Sequence, residues 1–595
     1  MSLEEYILAP IKSKINPEKH ENLRRDLRKN RVAYSVRTHV ARSILYPLLI
    51  VCFSIPLLYF ILSASLNISQ ILVISTSILS GSVLGFSANR LILAYPSLKL
   101  SNRKKEIEDM LPHAAAYMLA LSKGGYESIE IFESLSKQKE YGEIAKEASA
   151  IYRNSKLLGY NPTEAIEQAA ETSPSPKFKD FLNSFVSVMQ TGSNMVGFLS
   201  RKCDQFYDEA EEEQEEELEF LGVLSEAYVA SVGLGPIFGI VLLILFAMME
   251  QFQTSILYII IYLLIPFGTA LFILLLDMQA RTTIAERSDV INPAKNGISN
   301  NRTLKDGMRN PKKVLKENFK TLVMEPEKIF AVSLPVAIVV AIILMLQGAL
   351  IETIIVFSLL ASLAPLAVFH ELKQRREYSM VKTMPNFLDS LSSSLNSGLS
   401  PVKSIIGMSP KRYPGLKWEL ERIHSELEWG QPVAETLQKS AKRIRSGLIS
   451  RTMLLIKKSS EVAADLGEIL TVLSRDVNME RNLVEERKRI TSTYVLIIIL
   501  TFGIFLLTSY SIASAFIPLL AQTGEVPAET DIEGMQIGGA DPEVIKMTFF
   551  RASLLQGFFS GLLAGKMREE KILSGLKYSL ILVSIAWIFF IVTIV

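Results

Sequence analysis

The chain has 595 residues, 49% of them hydrophobic, with a mean hydropathy of +0.28 and a formal net charge of +2. The apolar residues are gathered into long runs, which excludes an ordinary soluble globular protein, and the balanced charge gives no reason to expect nucleic acid as a partner. Two cysteines, Cys52 and Cys203, provide no disulfide framework.

Residues 1–43 are polar and basic, with Lys12, Lys14, Arg24, Arg25, Arg28, Lys29, Arg31 and Arg37. A cleavable signal places its apolar core nearer the start, so this stretch reads as a cytoplasmic segment with a short amphipathic helix. A spanning helix needs about 20 apolar residues. About nine stretches qualify: 44–66, 71–95, 227–249, 255–277, 329–349, 353–370, 493–519, 546–564 and 572–594. They predict membrane hairpins over 44–95, 227–277 and 329–370, and three spans within 493–595. Between them lie an acidic cytoplasmic block at 100–226, a basic linker at 278–328 and a basic cytoplasmic block at 371–492.

Orientation follows the Lys/Arg bias. The connectors 67–70, 250–254 and 348–352 and the acidic loop 521–545 contain no Lys or Arg. The N-terminus, the linker 278–328 and the turn Lys566-Met567-Arg568 are basic. The topology expected is a multi-pass protein of the cell membrane, N-terminus cytoplasmic and C-terminus outside.

Gly557, Gly561 and Gly565 form two overlapping GxxxG steps in the eighth span, a flat strip where another helix backbone can approach. Gly81 with Gly85 and Gly235 with Gly239 repeat the pattern. Pro47, Pro56, Pro236, Pro266, Pro335, Pro365 and Pro518 read as kinks whose freed carbonyls neighbours satisfy. Charges inside the spans are few. Arg551 and Lys546 sit near the outer end of the eighth span, where they can snorkel, and Asp277 and His370 sit at cytoplasmic ends.

Both cytoplasmic blocks carry apolar residues at three- and four-residue spacing, as at Met110, Ala114, Met118 and Leu121, and read as wholly helical. They also read as copies. Leu111-Pro112 followed by Gly124-Gly125 matches Met384-Pro385 followed by Gly398, with the prolines placed in first helical turns. Gly159-Tyr160-Asn161-Pro162 matches Gly430-Gln431-Pro432, and Gly197 matches Gly467. A repeat at about 270 residues, each unit followed by membrane helices, is the specific feature. The charges differ. Block one is acidic through the run Asp208 to Glu217, and block two is basic.

On these residues each block resembles the type II secretion F domain, a six-helix cytoplasmic bundle followed by membrane helices. The numerous paired spans resemble the archaeal branch of that family, the membrane platform proteins of archaeal type IV pili and the archaellum. The resemblance implies an all-α polytopic protein beneath a filament, with a hexameric secretion ATPase and pilin- or archaellin-like subunits as partners alongside the lipid bilayer. In archaellum relatives the second, basic domain is the proposed ATPase contact. The candidate docking residues are therefore Arg375, Arg376, Lys411, Arg412, Arg443, Arg445, Lys457, Lys458, Arg487, Lys488 and Arg489. Relatives also imply a homodimer, for which the Gly557–Gly565 strip offers a surface if it is not used in internal packing.

No catalytic, metal or cofactor site is expected. Gly565-Lys566-Met567 lacks the hydroxyl residue of a phosphate-binding loop. The five histidines are scattered, and Gly538-Gly539-Ala540-Asp541 does not match a prepilin-peptidase motif. The reading is a non-enzymatic filament-assembly platform driven by another protein's ATP hydrolysis. The alternative is a polytopic transporter or channel, which would call for charged pairs within the membrane.

Overall fold

The computed structural model describes residues 21–30, 35–65, 70–238, 260–279, 329–444, 446–460, 466–512, 514 and 542–593. Most of the N-terminal segment, the linker from 280 on, Arg445 and most of the outer loop lie outside them. Every described element is helical, and the chain divides into two compact units: Met1–Phe206 with Val462–Ile469, and Tyr207–Glu461 with Leu470–Val595.

The first unit begins with α1 (Glu21–Lys29), α2 (Val36–Ser65) and α3 (Gln70–Lys123). The α2–α3 hairpin closes on glycine. A Cβ on Gly81 would meet Ile55 Cγ1 at 2.4 Å, and one on Gly85 would meet Val51 Cγ2 at 2.1 Å. Helix α3 runs unbroken through Pro96 and Pro112. The sequence predicts Pro112 in a first turn, but the helix continues on both sides of it. One missing backbone bond costs about 3 kcal/mol, whereas residues 114–121 are buried all round and form the axis of the first block. Packed on it are α4 (Ser128–Ser136), α5 (Gly142–Lys156), α6 (Pro162–Thr172), α7 (Pro176–Thr191) and the start of α8 (Met195–Tyr228). Phe181 is the centre of an aromatic cluster, 5.8–6.2 Å from Phe178, Phe185, Phe198 and Phe206. Arg103 pins the base of α3, donating to Glu143 at 2.7 Å, to buried Glu147 and to the Lys29 carbonyl of α1.

The second unit holds the rest of α8, α9 (Ile265–Gln279), α10 (Phe330–Leu346), α11 (Ile351–Asn396), α12 (Pro401–Gly407), α13 (Lys417–Glu428), α14 (Val433–Arg443), α15 (Gly447–Ser460), α16 (Leu466–Ser511) from Leu470 on, α17 (Pro542–Glu569) and α18 (Ile572–Thr593). Helix α11 passes through Pro365 and Pro385, so Pro385, like Pro112, is interior rather than in a first turn. Pro236 and Pro266 follow π-helical turns at Val229–Leu234 and Ile260–Leu264. A wider turn beside proline accommodates its missing N–H.

The turns follow one punctuation in both blocks. Gly125 and Gly398 take φ of 80° and 84°, and Gly159 and Gly430 take 75° and 80°, a left-handed backbone that glycine adopts without penalty. Helix starts are capped: Ser400 accepts from Lys403 N at 3.4 Å, and Asn161 accepts from Thr163 N at 3.4 Å.

Six helices among the described residues are long and apolar enough to cross a membrane: Val36–Pro56, Ser77–Lys123, Met195–Phe238, Ile351–Asn396, Leu466–Ser511 and Ile572–Val592. Ile261–Asp277 and Ser333–Leu346 are apolar but shorter. The predicted span 546–564 is helical within α17 yet stands outside both groups. Its polar residues point into protein: Ser553, Gln556 and Ser560 are buried, Gln556 donates to the Val232 carbonyl at 3.1 Å, and Ser560 bonds Tyr228 at 3.0 Å. A helix wrapped by other helices has no need of an apolar exterior.

Candidate functional site: a charged joint at the α17–α18 turn

Helices α8 and α16 lead out of the two helical blocks into apolar stretches, and within the second unit they run parallel. Tyr207 donates to Asp476 at 3.1 Å, Gln214 to the Leu483 carbonyl at 3.0 Å, Arg487 to Glu217 at 3.1 Å, and Tyr494 to the Leu218 carbonyl at 3.4 Å. The first three pairs are separated by 269, 269 and 270 residues. That is the spacing at which Gly197 corresponds to Gly467, so matching positions of the two blocks face each other. The seven-residue steps 207 to 214 and 476 to 483 are those of a left-handed two-helix seam. The acidic run of α8 is divided by it. Asp208, Glu211, Glu212, Glu215 and Glu216 face outward, and Gln214 and Glu217 face α16.

At Arg487 the seam meets the turn between α17 and α18, and it continues past it through Gly222 against Tyr494 and Gly233 against Thr501. Arg487 Nη1, besides holding Glu217, lies 2.5 Å from Glu570. Glu570 stands at φ 59°, the single non-glycine residue of positive φ in the described chain. Such a conformation in a charged residue marks a turn held by its surroundings. On the other side of the turn Lys577 bridges Glu569 at 3.0 Å and Glu371 of α11 at 2.7 Å. Ser574 bonds His370 at 3.1 Å and accepts from Gln374 at 2.8 Å. Lys566 pairs with Asp277 at the end of α9. Lys488 sits over the Tyr378 ring at 3.5 Å, and burial, opposed by the nearby Glu569, pulls its ammonium below the ordinary lysine range. One short turn is thus tied by charge to α8, α9, α11 and α16.

The hairpin bearing this turn is close-packed through glycine. A Cβ on Gly561 would lie 2.2 Å from the Ser579 nitrogen, and one on Gly565 would lie 2.1 Å from the Gly575 Cα. Gly557 faces Phe502. Gly235, by contrast, meets nothing nearer than its own helix's Ala230 carbonyl at 3.6 Å, and Gly239 lies outside the described residues.

The basic residues singled out on the second block do not form one surface. Arg443 turns inward to Glu419 and Glu426, and Arg487 to Glu217 and Glu570. Neither lies open for docking, because each cation compensates carboxylates that are themselves shielded from water. Lys488 is covered by Tyr378, and Arg489 pairs with Glu486 at 3.0 Å. Arg375 pairs along its helix with Glu371, and Arg376 stacks on Trp418. Lys411 and Arg412 are exposed on a short 3-10 turn, and half-buried Lys457 donates to Gln438 at 3.3 Å, with Lys458 beside it. Arg551 is partly exposed in the first half of α17. It holds Glu352 of α11 at 2.7 Å and 2.9 Å. Among the described residues no group of three or more His, Cys, Asp or Glu is placed to hold a metal ion.

The sequence matches the family described as type II secretion system (T2SS), protein F, twice, over residues 114–243 and 387–512. An uncharacterised protein of Methanocaldococcus jannaschii is 23% identical over 512 residues, covering 83% of this chain and 81% of that one. The flagella accessory protein J of Methanocaldococcus jannaschii is 26% identical over 141 residues, and that of Methanococcus voltae 28% over 141 residues. Each of these two alignments spans 24% of this chain and 25% of the relative. No solved structure matches. The two matched stretches take in most of each helical block together with α8 and α16, so the chain carries two regions similar to type II secretion system protein F.

Proposed function

We propose that the chain is a non-enzymatic platform in the cell membrane for assembling a type IV-like filament, and that a cytoplasmic secretion ATPase drives it. The observation that carries this reading is the joint at the α17–α18 turn. A platform must pass motion from soluble domains into membrane helices. Here the helices of both family-matched regions meet one turn through Arg487, which pairs with Glu217 of α8 and Glu570 of the turn. The similarity to the flagella accessory proteins J supports an archaellum- or pilus-like machine, with filament subunits as the second partner. Nine spans, duplicated blocks and a cytoplasmic N-terminus complete the proposal.

The charged pairs in the membrane helices do not favour a transporter. Arg551–Glu352 involves the start of α11 and the first half of α17, and Lys566–Asp277 joins the ends of α17 and α9. Pairs at helix ends clasp neighbours; a substrate pathway places them at mid-depth.

The ATPase surface is the far end of the second block. From His370 to Asn396, α11 extends about 39 Å at 1.5 Å per residue. The turns at that end present Lys403 and Trp429, the latter 89% exposed, with Lys457 and Lys458 on the lower half of α15. The test is capture of the cognate ATPase by the full-length protein in detergent. Charge reversal of Lys403, Lys457 and Lys458 together with W429A is expected to lower capture at least tenfold. Undiminished capture would refute this docking surface.

A further inference from the structure

The membrane-facing end of the second block carries a different group of residues from its far end. Gly415 fixes the level. A Cβ there would lie 2.2 Å from the Ser379 carbonyl oxygen and 2.7 Å from the Met380 nitrogen, so the segment before α13 rests directly on the backbone of α11. Helix α13 therefore starts beside Ser379, about 14 Å past His370 at 1.5 Å per residue, and its Trp418 meets Arg376 nearer the apolar stretch. Trp418, in its first turn, is 39% exposed although it is one of the largest side chains in the block. The Arg376 guanidinium stacks on its ring at 5.5 Å, and that of Arg422 at 5.9 Å. Lys417 beside it is half exposed, and Arg375 on α11 is 76% exposed.

The distance to the bilayer follows from the helix. Arg376 is six residues past His370, which puts it about 9 Å below the end of the apolar run at 1.5 Å per residue. The headgroup layer on each side of the hydrocarbon core is about 5–7 Å thick, so an indole reaching up from this level meets it. Tryptophan is favoured at that boundary, because its ring is apolar and its N–H polar. Arginines and a lysine around it favour negative headgroups.

We propose that Trp418, Lys417, Arg375 and Arg376 form an interfacial anchor that holds the second block against the anionic headgroups of the cytoplasmic leaflet. The anchor rests on the reading of α11 as a membrane-spanning helix. It assigns Arg375 and Arg376 to lipid and leaves the far end of the block to a protein partner. Cytoplasmic force on the block is then resisted at the bilayer surface, so that the turn of α17 and α18 receives a rotation rather than a tilt.

The chain has three tryptophans, Trp418, Trp429 and Trp587. Three single-tryptophan variants of the full-length protein, with the other two residues changed to Phe, are reconstituted in phosphatidylcholine vesicles with or without a quarter phosphatidylglycerol. Lipids bearing a nitroxide near the headgroup serve as quenchers. Trp587 lies in α18 against Phe357 and reports insertion; its quenching establishes that α18 is in the bilayer whatever Trp418 does. Trp429 at the far tip is expected to be unquenched. Trp418 is expected to be quenched, about twofold more with the anionic lipid than without, and R375Q/K417Q removes that difference. Quenching of Trp418 no greater than that of Trp429, with Trp587 quenched, would overturn the anchor. So would equal quenching of Trp418 with and without phosphatidylglycerol, or its shielding only when the secretion ATPase is added, which would make this face a protein contact.

Discussion

Arg487→Met isolates the joint. Arg487 Nη1 lies 3.1 Å from a carboxylate oxygen of Glu217 and 2.5 Å from one of Glu570. Placed end to end these distances leave the two oxygens at most 5.6 Å apart. Both side chains are shielded, at 6% and 11% exposure, so water cannot replace the guanidinium. At an effective dielectric of about 20, two like charges at that separation repel by about 3 kcal/mol. Breaking a buried pair by removing one partner costs about 3–5 kcal/mol, and the two figures agree. Methionine keeps most of the volume, so packing loss adds little. The assay is equilibrium unfolding of the purified protein in detergent with increasing denaturant, read from the midpoint at unchanged slope. Adding Glu570→Gln to Arg487→Met removes one of the two charges and is expected to restore more than half of the loss. Arg487→Met within about 0.5 kcal/mol of wild type, or no recovery on adding Glu570→Gln, would refute the joint as an electrostatic clasp.

Gly561→Ala is expected to destabilise by about 1–3 kcal/mol or more, since its Cβ would fall 2.2 Å from the Ser579 backbone, which cannot yield as a side chain can. Gly235→Ala, with only Ala230 O at 3.6 Å, is the control and should be close to neutral in the same denaturant unfolding. In the first block Arg103→Ala leaves Glu147 fully buried without its cation, and a loss of about 3–5 kcal/mol is expected in denaturant unfolding. Burial pushes the neighbouring Glu143 carboxyl up, but Lys146 and Arg103 outweigh it and hold it below its ordinary 4.5. A carboxyl lowered in the folded state adds stability above pH 4.5 and surrenders it as the pH falls through the folded value. Arg103→Ala should therefore flatten the acid limb of the stability curve. An unchanged acid limb would count against this pairing.

What the sequence made legible was whatever is local. Apolar runs, the Gly-Pro punctuation at 124–125, 159–162, 398–401 and 430–432, and the repeat spacing are each read within a few residues, and the helices follow them. The joint was not legible, because most of its pairs join residues far apart in the chain, from 83 positions for Arg487 and Glu570 to 289 for Asp277 and Lys566. Composition alone puts Arg443 and Arg487 in the same basic surface as Lys411 and Arg412. Only the fold shows that the first two compensate internal carboxylates. Helix continuity through Pro112 and Pro385 was also hidden. The local cost of proline is visible in sequence, and the burial that outweighs it is not.

Helix α17 carries polar side chains that are buried against other helices. A spanning helix is apolar because lipid surrounds it, and one surrounded by other helices is free to carry Ser553, Gln556, Ser560 and Lys566. Each polar group then acts as an address. Tyr228 of α8 meets Ser560, Gln556 meets the Val232 carbonyl, and Asp277 of α9 meets Lys566. Apolar packing alone would tolerate sliding of one helix past another by a turn. Directional bonds fix the register, which is the best-attested use of polar groups in a core. The same kind of directional contact recurs at the α17–α18 turn, where Ser574 meets His370 and Gln374 and Lys577 meets Glu371.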